Sequence, residues 1–443
     1  MSKHEPFQFK TSEELLKKAK ELGIELPFQE SIDPLFETVI IGSKTIPNRL
    51  AVQPMEGFDS NSDGSPGEYT FRRYKRFAEG GSGLIWFEAT SVVTEGRSNP
   101  RQLMLNKKNL DGFKQLADHT RQSAHKVFGS SFDLFLVLQL THSGRYSKPE
   151  AKPKPQAACF NPYLDKQGEV VTVLNDDTLN RLQDKFTEAA RLAYKAGFDA
   201  VDIKACHGYL IHELLGAHTR SKSLYGGHFN NRSRFLLEVI KMINREVKEI
   251  LPAVRLNATD GVLYPYGFGV SEDGSSGIDL SETKSLICRL KENGCSLLNI
   301  TIGIPSHSPH LGRPFDRQVT GSSVPDEHPL EGVTRLLSVT GELQKEFSNI
   351  SFTGTGYTWL RHFFPHVGAA VIKQGMASFI GLGRSSFAYP DAPKDLMNTG
   401  TMDPKKVCIA CSRCTELIRH NHIGGCVIRD REIYRKEYKK IYP

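Results

Sequence analysis

From about residue 33 the chain alternates short apolar runs with longer stretches whose apolar positions recur at helical spacing. The runs at 50–52, 84–88, 134–140, 200–203, 254–257, 297–300, 350–353 and 379–382 read as strands. Between them lie amphipathic stretches such as 178–196, where Leu182, Phe186, Ala189 and Ala193 share one face and Gly197 is the stop. Ahead of the first strand, Thr11-Ser-Glu-Glu14 fits a capping box, Leu15, Leu16, Ala19 and Leu22 form a stripe, and Gly23 ends it. That short helix is expected to plug or cover one end of the barrel. Eight strands alternating with helices predict an α/β fold, a (β/α)8 TIM barrel with its active site at the strand C-termini. A doubly wound sheet is the competing architecture, but no G-x-G-x-x-G follows the first strand. The organisation expected is an N-terminal helical extension (1–32), the barrel (33–395) and a C-terminal extension (396–443).

Charge narrows the partners. With 57 basic against 50 acidic residues and no block of like charge, nucleic acid is not expected as a partner, while an anionic ligand is allowed. The opening MSKHEPFQFK lacks a signal-peptide core, and there is no apolar run of the ~18 residues a membrane span needs. A cytoplasmic location away from membrane is expected.

Chemistry concentrates at the predicted strand ends. The stretch from Asp202 to Arg234 opens at the end of an apolar run and packs Lys204, His207, Tyr209, His212 and Glu213 into ten residues. Polar groups also follow the other strands: Gln53-Pro-Met-Glu56, Phe87-Glu-Ala-Thr90 with Glu95-Gly-Arg97, Gln139 within Leu138–Arg145, and Arg255-Leu-Asn257. Gly354-Thr-Gly356 and Gly381-Leu-Gly-Arg384 follow strands seven and eight, where a barrel holds phosphate on backbone N–H groups that only glycine lets approach. Arg384 would add a charged fork. Two loops, 262–277 and 306–328, read as lids or substrate contacts. His307, His310 and His328 fit no ligand spacing and read as substrate contacts or plain loop histidines.

Of eight cysteines, Cys159, Cys206, Cys288 and Cys295 are scattered and read as reduced thiols. Cys408, Cys411 and Cys414 are spaced by two residues, with Cys426 beyond them. In a signal-free chain this reads as a metal site. Three close thiolates and a distant fourth favour an iron–sulfur cluster; tetrahedral zinc is the competing reading.

The order His207-Gly-Tyr-Leu210, Arg220, Tyr225-Gly-Gly227, Asn231-Arg-Ser-Arg-Phe235 closely resembles the old yellow enzyme (NADH:flavin oxidoreductase) family, and the resemblance covers roughly 33–393. It implies FMN, with Pro54, Met55 and Glu56 in the turn under the flavin and Ala89 on the strand-two signature. Gln139 would pair with the pyrimidine, Arg255 would sit beside N1 and O2, and Gly354, Gly356, Gly383 and Arg384 would hold the phosphate. It implies an ene-reductase acting on an α,β-unsaturated carbonyl compound: hydride from flavin N5 to the β-carbon, and a proton from Tyr209 to the α-carbon. His207 and Lys204 occupy the positions that grip the carbonyl oxygen. The cysteine tail is similar to the branch containing 2,4-dienoyl-CoA reductase and trimethylamine dehydrogenase, which implies a 4Fe–4S cluster on Cys408, Cys411, Cys414 and Cys426.

Those relatives continue into a dinucleotide-binding region, whereas the sequence reaches Pro443 without that fingerprint. NAD(P)H is then expected as a direct or indirect donor, with a ferredoxin or a separate reductase protein feeding the cluster. A homo-oligomer is compatible with all of this. Two residues depart from the family. Lys204 replaces an imidazole and suits a carboxylate-bearing substrate, and Glu56 stands where relatives carry Thr or Cys. An amine dehydrogenase or demethylase, and an electron-transfer flavoprotein without a small substrate, are the alternative readings.

Overall fold

The computed structural model describes residues 3–275 and 277–442. Eight strands, β1 (Leu50–Val52), β2 (Leu84–Ser91), β3 (Phe135–Thr141), β4 (Ala200–Ile203), β5 (Leu251–Asn257), β6 (Leu297–Thr301), β7 (Ser351–Gly354) and β8 (Phe379–Leu382), close into one parallel barrel in chain order. Closure sets Leu382 of β8 opposite Val52 of β1. Every predicted strand is present. Their apolar runs are continuous rather than alternating because both faces are covered, by barrel interior and by helices. The β2–β3 register shifts between Phe87 and Thr90, a bulge that re-aims the end of β2.

The interior is filled from the bottom by Leu84, Trp86, Phe135, Val137, Leu297 and Phe379. Ile41 and Ile46 join this layer from a hairpin of Val39–Ile41 and Lys44–Ile46. That hairpin is the plug. The N-terminal helix α1 (Ser12–Glu21) lies elsewhere: Leu15 and Ala19 pack with Phe7, Phe9, Leu330, Val333 and Trp359 on the outer flank. Its stripe seeks apolar surface, and the barrel end is already sealed. Half of the expected capping box is present: the Thr11 side chain accepts from Glu14 N, while Glu14 Oε2 accepts from Lys10 N at 2.7 Å and not from Thr11 N.

The outer ring contains α2 (Glu68–Glu79), α3 (Leu110–Phe128), α4 (Asp176–Lys195), α5 (Arg234–Glu246), α6 (Ser281–Glu292), α7 (Pro329–Glu346) and α8 (Phe364–Lys373). In α4, Leu179, Leu182, Phe186, Ala189 and Ala193 are buried, Asn175 caps the start, and Gly197 at φ +89 breaks the end.

The C-terminal extension folds back onto the barrel. Asp430 accepts two bonds from Arg72 of α2, at 2.7 and 3.0 Å, and one from Arg76 at 2.5 Å. Gly424 N donates to Gly57 O at 2.7 Å. Helix α9 (Arg413–Arg419) buries Glu416 and Leu417, and Leu417, Ile423, Val427 and Tyr434 make a small core of their own. Among the described residues no helix is long and apolar enough to cross a membrane.

Candidate active site

A cavity of about 340 Å³ opens at the C-terminal ends of the strands. Gln53 to Glu56 line it after β1, Lys204, His207 and Tyr209 after β4, and Arg255 from β5. Gly356, Gly381, Gly383 and Arg384 line it after β7 and β8. Thr415, Ile418 and Arg419 of α9 close one wall, so the extension takes part in the site.

Two consecutive left-handed residues, His207 (φ +64) and Gly208 (φ +74), turn the chain out of β4 so that Tyr209 faces the cavity. Left-handed backbone is strained for a histidine and needs support. Asn257 Oδ1 accepts from His207 N at 3.1 Å, and His212 Nδ1 accepts from Gly208 N at 2.9 Å.

Tyr209 donates its hydroxyl hydrogen to Glu56 Oε1 at 2.9 Å. Lys204 Nζ lies 3.7 Å from the same oxygen and 3.5 Å from the centroid of the Tyr209 ring. Gln102 Nε2 also reaches Glu56 Oε1, at 3.3 Å, while donating to Ala89 O at 3.1 Å. Beneath this turn, Glu88 Oε2 accepts from Gly57 N at 2.7 Å, and buried Arg73 pairs with Asp59 and Glu88. Burial, then Glu56, hold the Tyr209 phenol well above its ordinary range. Burial lowers Lys204, with Glu56 opposing. Burial, Arg255 and Lys204 push His207 well down, so its imidazole is neutral at neutral pH.

The same cavity fits a flavin phosphate and ring. Gln53 Nε2, Arg255 Nε, Arg384 Nη1, and Arg313 Nε and Nη2 are buried without a hydrogen-bond partner in the protein. Arg313 is lowered by burial and then by the like charge of Arg384, and two guanidiniums lining one cavity favour an anion as ligand. At Gly381 a Cβ would lie 2.0 Å from Gln53 Nε2 and 2.5 Å from Gly354 O, so the cradle admits no side chain.

Three of the predicted cofactor positions lie behind the lining. Gln139 is turned into the barrel, donating to Asp202 Oδ2 at 2.6 Å beside Trp86 Nε1 at 2.8 Å. Ala89 presents its carbonyl to Gln102, and Gly354 packs under Tyr357 and Gly381. Arg313 and the α9 wall were missed by sequence reasoning; Arg419, five residues past Cys414, was the only local signal.

Other ionisable groups of the family-like stretch hold structure. Glu213 pairs with Arg145, Arg220 with Asp176 at 2.7 Å, and His212 lies 3.8 Å from buried Asp260. His328 caps α7, accepting from Leu330 N at 3.1 Å.

Cys408, Cys411, Cys414 and Cys426 line one small cavity, together with Arg384 and Phe387. Arg384 thus borders both cavities. Burial pushes the Cys408 thiol up to about 12 and Cys426 up to about 11. Among the described residues no group of three or more His, Cys, Asp or Glu side chains has the arrangement to hold a metal ion.

Known proteins share this architecture. The NADH oxidase of Thermoanaerobacter brockii is 28% identical over 385 residues, which cover 85% of this chain and 52% of that one. This chain therefore spans about half the length of that relative. The NADPH dehydrogenase of Bacillus pumilus (strain SAFR-032) is 31% identical over 273 residues, 61% of this chain and 73% of the relative. A 2-naphthoyl-CoA reductase in complex with 2-naphthoyl-CoA superposes with a TM-score of 0.74 at 20% identity, covering 93% of this chain and 59% of the other. The sequence pattern of NADH:flavin oxidoreductases and NADH oxidases matches residues 34–275, more than half of the chain. Barrel, site motifs and sequence agree, and the chain belongs to the NADH:flavin oxidoreductase / NADH oxidase family.

Proposed function

We propose that this flavin oxidoreductase reduces the activated C=C bond of an α,β-unsaturated carbonyl compound. One observation carries the reading: Tyr209, His207 and Lys204 converge on the cavity that also holds the partnerless N–H groups of Gln53, Arg255 and Arg384. FMN would be held by Pro54, Met55, Glu56, Gln53, Arg255, Gly356, Gly381, Gly383, Arg384 and Arg313, and when bound would supply hydride.

The protein supplies the rest. Tyr209 keeps its proton through the neutral range and surrenders it only to a strong base such as a developing enolate. Neutral His207 offers one ring N–H to the carbonyl oxygen, and Lys204 brings a second nitrogen to the same place. The wall of α9 and the loop after β6, where Tyr146 Oη and Ser306 Oγ meet at 2.5 Å, restrict water.

A 4Fe–4S cluster belongs to this reading on the spacing of Cys408, Cys411, Cys414 and Cys426 and on the small cavity they line beside the flavin site; the four thiols would have to draw together to bind it. Such a cluster is a one-electron carrier, suited to a ferredoxin or a separate reductase protein as donor, with NAD(P)H as direct or ultimate source.

The test is to release flavin by heat, identify it, and titrate anaerobically reduced protein with cyclohex-2-enone and, separately, oxidised protein with trimethylamine. Bound FMN reoxidised by the enone, with a saturated ketone as product, is expected. Reduction of the oxidised protein by the amine, with the enone inert, would replace this reading by amine dehydrogenation.

A further inference from the structure

We propose that Lys204 is a nucleophile that captures a ketone or aldehyde carbonyl of the substrate as a Schiff base, with Glu56 and Tyr209 moving the protons of the condensation. The inference rests on the carbonyl-reducing site proposed above and names its substrate class and a covalent step.

Lys204 directly follows β4, on the rim of the cavity, and its side chain is 5% exposed. A lysine buried for structural reasons spends its N–H groups on carbonyl or carboxylate oxygens. Among the described residues Nζ makes no hydrogen bond: its neighbours are the Tyr209 ring face at 3.5 Å and Glu56 Oε1 at 3.7 Å. Burial also lowers its pKa, which raises the neutral, nucleophilic fraction. An amine, a carboxylate and a phenol, the last two joined by a 2.9 Å hydrogen bond, thus stand together in one cavity. These are the groups that Schiff-base formation requires.

The step balances without an oxidant or reductant. The ammonium passes a proton to Glu56, and the amine nitrogen attacks the carbonyl carbon. The carbonyl oxygen, protonated through Glu56 and Tyr209, leaves as water, and a C=N⁺–H bond replaces C=O. Water later reverses the sequence and restores the lysine. An iminium draws electron density from a conjugated β-carbon more strongly than a hydrogen-bonded carbonyl does, so the β-carbon becomes a better hydride acceptor. Ketones and aldehydes undergo this condensation. Carboxylic acids and amides do not, and a thioester would acylate the lysine instead. A lysine acting only as a hydrogen-bonding cation would be replaceable by arginine.

The test uses the holoenzyme with cyclohexanone, a saturated ketone that cannot undergo conjugate addition, and sodium cyanoborohydride. Intact mass and peptide mapping should find one added cyclohexanone, less its oxygen, on Lys204. Label at that position should be lost in Lys204→Arg and slowed in Glu56→Gln, both checked for retained flavin absorbance. No label at Lys204 in protein that still reduces cyclohex-2-enone overturns the Schiff base and leaves the C=C reduction standing. So does wild-type turnover in Lys204→Arg. Because labelling needs no turnover, label on Lys204 in protein that reduces no enone keeps the carbonyl capture and removes the C=C reduction.

Discussion

Tyr209 and Glu56, 153 positions apart, are joined by a hydrogen bond of 2.9 Å in which the phenol is the donor. Glu56 is the second cause, after burial, that holds the phenol up. Glu56→Gln removes that charge and keeps an acceptor in place, so the Tyr209 pKa should fall. Ultraviolet difference titration against the variant that also carries Tyr209→Phe would show it. An unmoved Tyr209 titration would mean that the carboxylate does not govern the phenol.

The glycine cradle makes a prediction about flavin content. Gly381→Ala places a Cβ 2.0 Å from Gln53 Nε2, on the floor of the cavity. Wild-type protein should release close to one FMN per chain, and the variant should release far less while the far-ultraviolet circular dichroism is retained. Full FMN content in Gly381→Ala would place the flavin elsewhere.

The barrel was legible and its plug was not. Most strands carry a short, largely apolar and buried run between polar stretches, so even the three-residue β1, buried throughout, stood out. The hairpin Val39–Ile41 and Lys44–Ile46 is short and half exposed, and its role appears only where Ile41 and Ile46 meet the strand starts. Tyr209, His207 and Lys204 were legible because one local turn presents all three. The Tyr209–Glu56 bond, the pairing of Arg313 with Arg384 in one cavity, and the α9 wall arise only when the closed barrel brings distant loops together. Gln139 was read from its place on the strand alone, and the sequence does not show that its neighbour Asp202, buried on the next strand, takes its amide.

For the cysteine cavity, anaerobically purified protein should contain iron and acid-labile sulfide with little zinc. Cys414→Ser should lose the iron but keep FMN, because Cys414 lines the second cavity and not the first. Stoichiometric zinc in protein never exposed to air would make the site a tetrahedral structural one.

Acid should weaken the fold through His142. Burial pulls its pKa to about 4, and Nδ1 accepts from Gly144 N at 3.1 Å, which only a neutral ring can do. The unfolded imidazole takes up a proton below about 6.5 and the folded one does not, so stability is lost as pH falls through that window. Between pH 6.5 and 5 this amounts to about 2 kcal/mol. Urea denaturation should show a pH dependence smaller by that amount in His142→Gln, and equal slopes in both proteins would contradict it.

The most direct measurement concerns Tyr209 as proton donor. Wild-type and Tyr209→Phe proteins are reduced anaerobically and mixed with cyclohex-2-enone in a stopped-flow instrument, following flavin absorbance. Tyr209→Phe should accept electrons as fast as wild type, yet its reoxidation by the enone should slow by about 10²-fold or more, the scale of a lost general acid. An unchanged reoxidation rate would contradict the assignment and move proton delivery to another group in the cavity.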